Sequence, residues 1–527
     1  MSATLSPDDL PMPNILELST FLRKRASPSC TLFVLPSKIA SRAMSIFALS
    51  CLLSHLPDSS PLPSSPRITL CMLNPRWSPL EIQKVLQSFQ APCLYVESSS
   101  ALSELISSNL IPVPVLPLPP TLLLPRSPSP SPSPSPSPSL LSEELLRSLS
   151  PITASTPAPP TSTIPALILF TSGTTSAPKG VRLSLRALLV QAYHKHLPPV
   201  AYSRRTNLLL SLPLNHVAGV NALLSVLMAG GTLTFPTRSF PSLASSLPSS
   251  PLVNSLITVP TLLHSVPATS SFPQITLILV GGSQISPGQH LIASSSFPNA
   301  QIVQTYACTE CASSLTFLNV TSPPPLPTPP PEAPPGFPVG KPSHPAITVN
   351  VFARSPPHSP CPPYTLGLIG TAGPHLFTGY SKQTDVSGTY MTSDLGWTDA
   401  DGTLYFSGRS NDTIRTGGET VLASELEHVI LEKLSLHVSQ CAVFPMPSEK
   451  WGEEVALAAV PADADLTSEG LQSLLEEMWP QWGLAGYKRP KRLFISTSLP
   501  RNSGGKVTKH VLPAIYGDVT EARSSKL

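Results

Sequence analysis

Six short apolar runs between residues 166 and 306 alternate with helical stretches, and this alternation constrains the fold more than any other feature. The runs are ALILF, NLLLSL, TLTF, SLITV, ITLILV and AQIVQTY, and the helical stretches include VNALLSVLMAG and PTLLHSV. The pattern favours an α/β fold in which mostly parallel sheets are flanked by helices. Ligands of such sheets bind at the carboxyl ends of the strands, so we expect the functional residues to follow these runs.

The chain is too long for one compact core, since it has 527 residues. After residue 408 the pattern changes to short mixed elements such as SELEHVILEKL, SQCAVFPM and EEVALAAV. We therefore predict a large N-terminal domain over residues 1–408 and a small α+β C-terminal domain over 409–527, joined by a hinge. Proline is abundant, with 67 residues, and the proline-rich segments 111–163 and 322–338 are predicted to be surface insertions rather than motifs for proline-binding domains.

Composition excludes several classes of function. The formal net charge of +3 is scattered along the chain, so the basic face of a nucleic-acid-binding protein is not expected. The eight cysteines lack the paired spacing of a disulfide scaffold, and the C-x-x-C formed by Cys308 and Cys311 has no second pair beside it, so zinc is not expected. No apolar run has the length of a membrane span.

The sequence ends in Ser525-Lys526-Leu527, which matches the tripeptide that peroxisomal import receptors recognise. We therefore expect the import receptor as a partner and the peroxisome as the location. Asp8 and Asp9 argue against a transit peptide, so a plastid location is not signalled, although it stays open.

The segment after the first apolar run has the character of an anion-binding loop. It is not a Walker A loop, because Pro178 stands where the second glycine would be and Gly180 follows the lysine. The alternative is a polar loop that binds no ligand, but that interpretation does not explain why Lys179 stands between a proline and a glycine. Hydroxyls, a flexible glycine and one positive charge together favour phosphate binding by Thr171, Ser172, Gly173, Thr174, Thr175 and Lys179.

Several segments in order resemble the motifs of the adenylate-forming superfamily, which includes acyl-CoA synthetases, luciferases and peptide-synthetase adenylation domains. They lie between Leu169 and Lys509 and are LFTSGTTSAPKGV, LPLNHVAGV, LVGGSQIS, QTYACTE, YMTSDLGW, FSGRSNDTIRTGGETVLASELE and LPRNSGGKVTK. The resemblance implies ATP, Mg²⁺ and CoA as cofactors, and a small domain that turns about a hinge between two half-reactions.

The resemblance also implies residue roles. Lys506 would bridge the carboxylate and the α-phosphate, Thr309 would bond the phosphate, and Glu310 would hold Mg²⁺, which prefers carboxylate and phosphate oxygens. Asp394 and Arg409 would bind the ribose hydroxyls. The adenine would lie against Tyr306, beside Gly282, Ser283 and Thr305. The hinge would be Asn411, and Gly417 and Gly418 would line the path of the CoA thiol arm.

Within the superfamily the sequence resembles the plant-type 2-succinylbenzoate–CoA ligases of phylloquinone and menaquinone synthesis. The resembling stretches include TYACTECASSLTF, VGKPSHP and GPHLFTGY. His216 would border the acyl pocket, and the hydroxyls of Ser313 and Ser314 would bind the second carboxylate of the substrate. A peroxisomal fatty-acyl or 4-coumarate–CoA ligase is the alternative within enzymes, and a catalytically decayed nucleotide-binding protein is the alternative outside them.

Some positions depart from the superfamily pattern. Ser176, Ala307 and Ser393 stand where glycine is usual, and Leu368 stands where glutamate is common. If any of these glycines required a positive φ, the added Cβ would cost about 1 kcal/mol or more. The sequence therefore leaves open whether these substitutions reduce the activity.

Overall fold

The computed structural model describes residues 165–171, 178–236, 251–321, 332–381 and 388–517, apart from 264, 268, 463–465, 483 and 502–506. It also describes the shorter stretches 3–5, 29–35, 67–75, 78–88, 94–96 and 115–117 and the isolated residues 243, 247, 330 and 386.

Twenty-four strands are assigned in these residues. The first thirteen are β1 (Ala3–Leu5), β2 (Ser29–Leu35), β3 (Arg67–Met72), β4 (Leu94–Val96), β5 (Val115–Pro117), β6 (Leu167–Thr171), β7 (Lys179–Leu183), β8 (Asn207–Leu209), β9 (Thr232–Phe235), β10 (Ser255–Thr258), β11 (Leu277–Gly281), β12 (Gln301–Cys308) and β13 (Ser313–Asn319). The others are β14 (Phe337–Gly340), β15 (Thr348–Phe352), β16 (Gly367–Ala372), β17 (Gly379–Tyr380), β18 (Tyr390–Thr398), β19 (Leu404–Arg409), β20 (Thr413–Thr416), β21 (Glu419–Leu422), β22 (Val438–Ser448), β23 (Gly452–Pro461) and β24 (Arg492–Ile495).

The described helices lie between and beside these strands. They are α1 (Pro79–Ser88), α2 (Leu185–His194), α3 (Val217–Met228), α4 (Pro260–Leu263), α5 (Pro287–Ser296), α6 (Ala423–Lys433), α7 (Ser468–Met478) and α8 (Leu512–Gly517). Short 3₁₀ turns cover Thr309–Cys311, Ser410–Asp412, Gly486–Lys488 and Lys509–Val511. None of these described helices is long and apolar enough to cross a membrane.

Two seven-stranded sheets form the large part of the molecule. The first has the order β1-β9-β8-β10-β11-β12-β13, and the second has the order β17-β7-β6-β3-β2-β4-β5. Their inner strands are mostly parallel, for example β8, β10, β11 and β12, while antiparallel pairs lie toward the edges. Helices α2 and α3 share a buried cluster with residues of both sheets, so the two helices pack between them. The predicted α/β fold class is confirmed.

A third sheet, of order β14-β19-β18-β16-β15, is antiparallel throughout, and the alternation of strands and helices did not predict it. A fourth sheet, β21-β20-β23-β22 with β24 beside β23, forms after residue 412 and has its own buried clusters. The small C-terminal domain of the predicted fold is therefore present. The exact boundary at residue 409 stays a prediction.

Two stretches of the predicted proline-rich insertions are strands instead. Val115–Pro117 pairs with β4 at the edge of the second sheet, where a proline costs no interior ladder hydrogen bond. Phe337 and Pro338 belong to β14 and pair with Phe406 and Tyr405. The rest of 111–163, and residues 322–329, lie outside the described residues.

Two buried histidines, His194 and His375, make the fold sensitive to acid. Both are fully buried, and burial is the main reason that the pKa falls from 6.5 to about 2 for His194 and to about 4 for His375. The unfolded chain therefore binds more protons than the folded chain below pH 6.5. We expect the free energy of unfolding to fall between pH 6.5 and 4, by about 1.4 kcal/mol per pH unit for each histidine.

Denaturant titrations at several pH values would measure this slope. Replacing His375 by glutamine should flatten it, whereas the same change at the exposed His358 should leave it unchanged. An equal slope for the wild type and the His375 variant would contradict the assignment.

Candidate active site

Two residues of the predicted phosphate loop, Thr171 and Lys179, lie on neighbouring strands. They are cross-strand partners in the antiparallel pair β6 and β7. Lys179 is exposed, and its Nζ lies 5.5 Å from the centre of the Tyr380 ring. The remaining predicted loop residues, Ser172, Gly173, Thr174, Thr175 and Ser176, lie outside the described residues.

Glu310 lies at the meeting point of the first and second sheets. Thr309 and Glu310 form a 3₁₀ turn between β12 and β13, and both are half-buried. The hydroxyl of Tyr380, on β17, donates to Glu310 Oε1 at 2.9 Å and lies 3.3 Å from the hydroxyl of Tyr390. Tyr380 thus connects the carboxylate predicted to hold Mg²⁺ with the lysine predicted to bind phosphate.

The electrostatics of this centre suit a hard cation with phosphate ligands. Burial, and after it the negative charge of Glu310, raises the pKa of Tyr380 and of Tyr390, so both phenols stay protonated donors. A half-buried carboxylate held by a phenol fits Mg²⁺, which binds few protein carboxylates together with nucleotide phosphates. The sequence analysis assigned no role to either tyrosine, although the quoted stretches GPHLFTGY and YMTSDLGW contain them, because the contact of Tyr380 with Glu310 joins residues 70 positions apart.

Asp394, Arg409 and Tyr306 come together as a second cluster. Asp394 on β18 and Arg409 on β19 are cross-strand partners, and Arg409 Nε lies 3.4 Å from Asp394 Oδ1. The Asp394 side chain is 12% exposed and the Arg409 side chain 50% exposed, so the guanidinium group reaches the surface while the carboxylate is mostly buried. A carboxylate acceptor beside a guanidinium donor suits a diol such as ribose.

Tyr306 supports this pair. Its ring is 8% exposed and lies 5.8 Å, centre to centre, from the ring of Phe406. Its hydroxyl donates to Asp394 Oδ2 at 2.6 Å, and burial, followed by the charge of Asp394, raises its pKa. The hydroxyl therefore orients Asp394, and the contact of the ring with adenine stays a prediction.

The predicted adenine segment lies at the carboxyl ends of parallel strands. Gly281 ends β11 in register with Thr305 on β12, and a Cβ on Gly281 would approach Thr305 Cγ2 to 2.9 Å. Gly282 follows with φ +92°, a conformation that glycine adopts without strain. Gly282 and Ser283 are exposed, so this edge of the sheet is open to a ligand.

The predicted acyl-pocket residues lie on α3 and β13. His216 is the residue before α3 and is half-buried, whereas Ser313 and Ser314 at the start of β13 are buried. Ala312 and Ser313 have positive φ values of 54° and 147°, which are unusual for residues other than glycine. Such strain occurs at functional sites that hold a side chain in a required direction.

The concern about lost glycines is not supported at the two described positions. The described residues other than glycine with positive φ are Ala201, Ala312, Ser313 and Tyr364, so the backbone conformation at Ala307 and Ser393 does not require glycine. Ala307 lies at a register shift between β12 and β13. Leu368 is half-buried on β16 and pairs with Leu395.

The predicted hinge residue lies between the third and fourth sheets, and the predicted thiol-path residues lie within the fourth sheet. Asn411 lies in the 3₁₀ turn between β19 and β20, and Gly417 and Gly418 form the turn between β20 and β21 with φ +58° and +87°. A Cβ on Gly417 would lie 2.8 Å from the ring of Trp451, so glycine is required there. The two parts of the molecule also touch where Gln284 Nε2 lies 3.0 Å from His428 Nδ1.

Lys506 lies outside the described residues, as do Ser525, Lys526 and Leu527. Arg501 and Val507, which flank residues 502–506 in the sequence, form an antiparallel bridge. The catalytic role of Lys506 stays a prediction.

The AMP-binding enzyme family matches residues 67–381, more than half of the sequence, and the chain belongs to that family. Among curated relatives, an oxalate–CoA ligase from Arabidopsis thaliana is 29% identical over 364 residues, which cover 66% of this chain and 66% of that enzyme, slightly less than two thirds of its length. A 2-succinylbenzoate–CoA ligase from Listeria monocytogenes is 27% identical, with 66% and 69% covered.

The fold matches that of a solved enzyme, the o-succinylbenzoate CoA synthetase of Bacillus subtilis. Its complex with the acyl-adenylate intermediate has a TM-score of 0.69 at 22% identity and covers 96% of this chain and 91% of its own. Its complex with ATP and a magnesium ion has a TM-score of 0.67 at 21% identity, with 95% and 92% covered.

Proposed function

We propose that this chain is an ATP-dependent acid–CoA ligase that forms an acyl-adenylate and then transfers the acyl group to CoA. The observation that carries the proposal is the pair of clusters joined by β12 and β18. At one end Glu310, Tyr380 and Tyr390 surround a site for a cation and phosphates. At the other end Tyr306, Asp394 and Arg409 form a site for a sugar diol. The two clusters follow each other along β12 and β18 as the phosphates and the ribose follow each other in a nucleotide.

In the first half-reaction an oxygen of the acid attacks the α-phosphorus of ATP and pyrophosphate leaves. Both reactants are negative, so charge must be neutralised as they approach. Lys179, Thr309 and Lys506 would do this at the phosphates, while Asp394 and Arg409 hold the ribose in place. What magnesium supplies, when bound at Glu310, is neutralisation of the charge that develops on the leaving pyrophosphate.

In the second half-reaction the thiol of CoA attacks the acyl carbonyl and AMP leaves with the bonding electron pair. AMP is a far better leaving group than the oxygen of a free carboxylate, which is why adenylation comes first. Gly417 and Gly418 would line the approach of the thiol arm, because their exposed, side-chain-free turn allows a thin ligand to pass.

We propose that the acid is 2-succinylbenzoate, an intermediate of phylloquinone and menaquinone synthesis. Buried hydroxyls at Ser313 and Ser314 favour a substrate with a polar end over a fatty acid. The two relatives described above are named for oxalate and 2-succinylbenzoate, which both carry two carboxylates. A fatty acid or 4-coumarate remains the alternative.

A ligase assay on the purified full chain with ATP, Mg²⁺ and CoA tests the proposal, with AMP and thioester both followed. The acids are 2-succinylbenzoate, oxalate, 4-coumarate, octanoate and palmitate. Preference for 2-succinylbenzoate is the expected result. Preference for another acid would overturn the substrate but keep the reaction, and no AMP release with any acid would overturn the reaction and favour a decayed nucleotide-binding protein.

We also propose that Ser525-Lys526-Leu527 directs the protein to peroxisomes through the import receptor. A fluorescent protein fused in front of the full chain should accumulate in peroxisomes. The same fusion without the last three residues should not, and an unchanged distribution would refute the signal.

A further inference from the structure

Lys195, directly after α2, has no role in the chemistry described so far. The residue is 1% exposed. Its Nζ donates hydrogen bonds to Asn221 Oδ1 at 2.5 Å and to Ser313 Oγ at 3.3 Å. Helices α2 and α3 and strand β13 therefore converge on one amino group, beside a serine predicted to line the acyl pocket.

The two partners of Lys195 are held firmly in place. Asn221 Nδ2 donates to the carbonyl of Leu188, and the hydroxyl of Ser225 donates to the carbonyl of Asn221. Ser313 has an unusual backbone conformation, with φ +147°, and its Oγ accepts from Lys195 Nζ. The amino group thus sits in a rigid, preorganised setting, as specificity sites require.

Negative charge is absent from this setting as far as the described part of the chain shows. Both partners of Nζ are neutral oxygens, and no described carboxylate forms an ion pair with Lys195. Burial lowers the pKa of Lys195 to about 7, and the adjacent His194 is kept neutral by burial. A buried ammonium group is costly without a counter-ion, and this one has a third N–H to donate.

We propose that Lys195 determines the specificity of the acyl pocket by binding the second carboxylate of a dicarboxylic acid, the one that is not adenylated. This inference rests on the proposed ligase function. The ammonium group supplies the counter-charge, and Asn221 and Ser313 hold it in position without neutralising it. A monocarboxylic acid would leave the buried lysine unpaired, so the same residue that accepts diacids disfavours monoacids.

The experiment compares 2-succinylbenzoate with the two monoacids that each lack one of its carboxylates, 4-oxo-4-phenylbutanoate and 2-butanoylbenzoate. The readout is kcat/KM for AMP formation by the purified full chain. We expect the wild type to prefer the diacid over the better monoacid by about 100-fold or more. In Lys195→Met, which keeps the volume and removes the charge, the preference should fall to about threefold or less because the ion pair is lost. The matched control is Lys341→Met, at an exposed lysine, which should keep the wild-type preference.

Each outcome decides between the two proposals. If the wild type releases AMP with none of the acids, the ligase proposal fails and the inference fails with it. If it releases AMP but shows no preference for the diacid, or if Lys195→Met keeps that preference, the reaction stands and the role of Lys195 is refuted. Thermal unfolding checks that the variant folds, and if it does not, Lys195→Gln, which keeps a donor for Asn221 and Ser313, takes its place in the same comparison.

Discussion

Replacing Glu310 by glutamine is expected to slow adenylation by about 100- to 1,000-fold, the usual effect of removing one group that stabilises a charged transition state. The change keeps the size of the side chain and an oxygen that can accept from the Tyr380 hydroxyl, which lies 2.9 Å from Oε1. What it removes is the negative charge that would hold Mg²⁺ beside the phosphates. The effect should therefore appear as a raised Mg²⁺ requirement as well as a lower rate.

The measurement is pyrophosphate release at a series of Mg²⁺ concentrations. Tyr380→Phe keeps the carboxylate and removes only its phenol partner, so it should cost about tenfold, in line with one hydrogen bond to a charged group. Glu332→Gln, the same substitution at an exposed position of the large domain, serves as the matched control. An unchanged Mg²⁺ dependence in Glu310→Gln would remove the metal role from this residue.

The sequence alone predicted the site residues that lie within short motifs. Asp394 and Arg409 belong to separate motifs, and the structure pairs them because β18 and β19 are adjacent antiparallel strands. Gly282 belongs to a Gly-Gly motif, and its positive φ explains why glycine stands there. Such residues are predictable because their chemistry and their backbone requirements coincide in a few consecutive positions.

Residues that act through long-range contacts were not predictable in this way. Tyr380 reaches Glu310 across 70 positions, and Lys195 reaches Ser313 across 118. A lysine in a sequence gives no sign of being buried, because most lysines are exposed. The unusual positive φ values are at Ala312 and Ser313 and not at Ala307 or Ser393, and no sequence motif marked those two positions.

Replacing Lys506 by alanine is expected to separate the two half-reactions. Adenylation brings a carboxylate against a triphosphate, so losing an ammonium group that bridges them should cost about 1,000-fold. Thioester formation from a supplied acyl-adenylate starts with attack on a carbonyl group and needs no such bridge, so its rate should fall by less than about tenfold. The two rates are measured separately, by AMP formation from ATP and acid, and by thioester formation from synthetic acyl-adenylate and CoA.

The separation follows from the position of Lys506 in the small domain. In the sequence Lys506 lies between Arg501 and Val507, which form an antiparallel bridge, and this domain is joined to the large one through the turn at Ser410–Asp412. If the small domain turns about that hinge after adenylation, Lys506 leaves the site and Gly417 and Gly418 reach it. Lys491→Ala, at an exposed lysine of the same domain, should change neither rate. Equal loss of both rates in Lys506→Ala would mean that the lysine stays at the site throughout, and the turning of the domain would have to be abandoned.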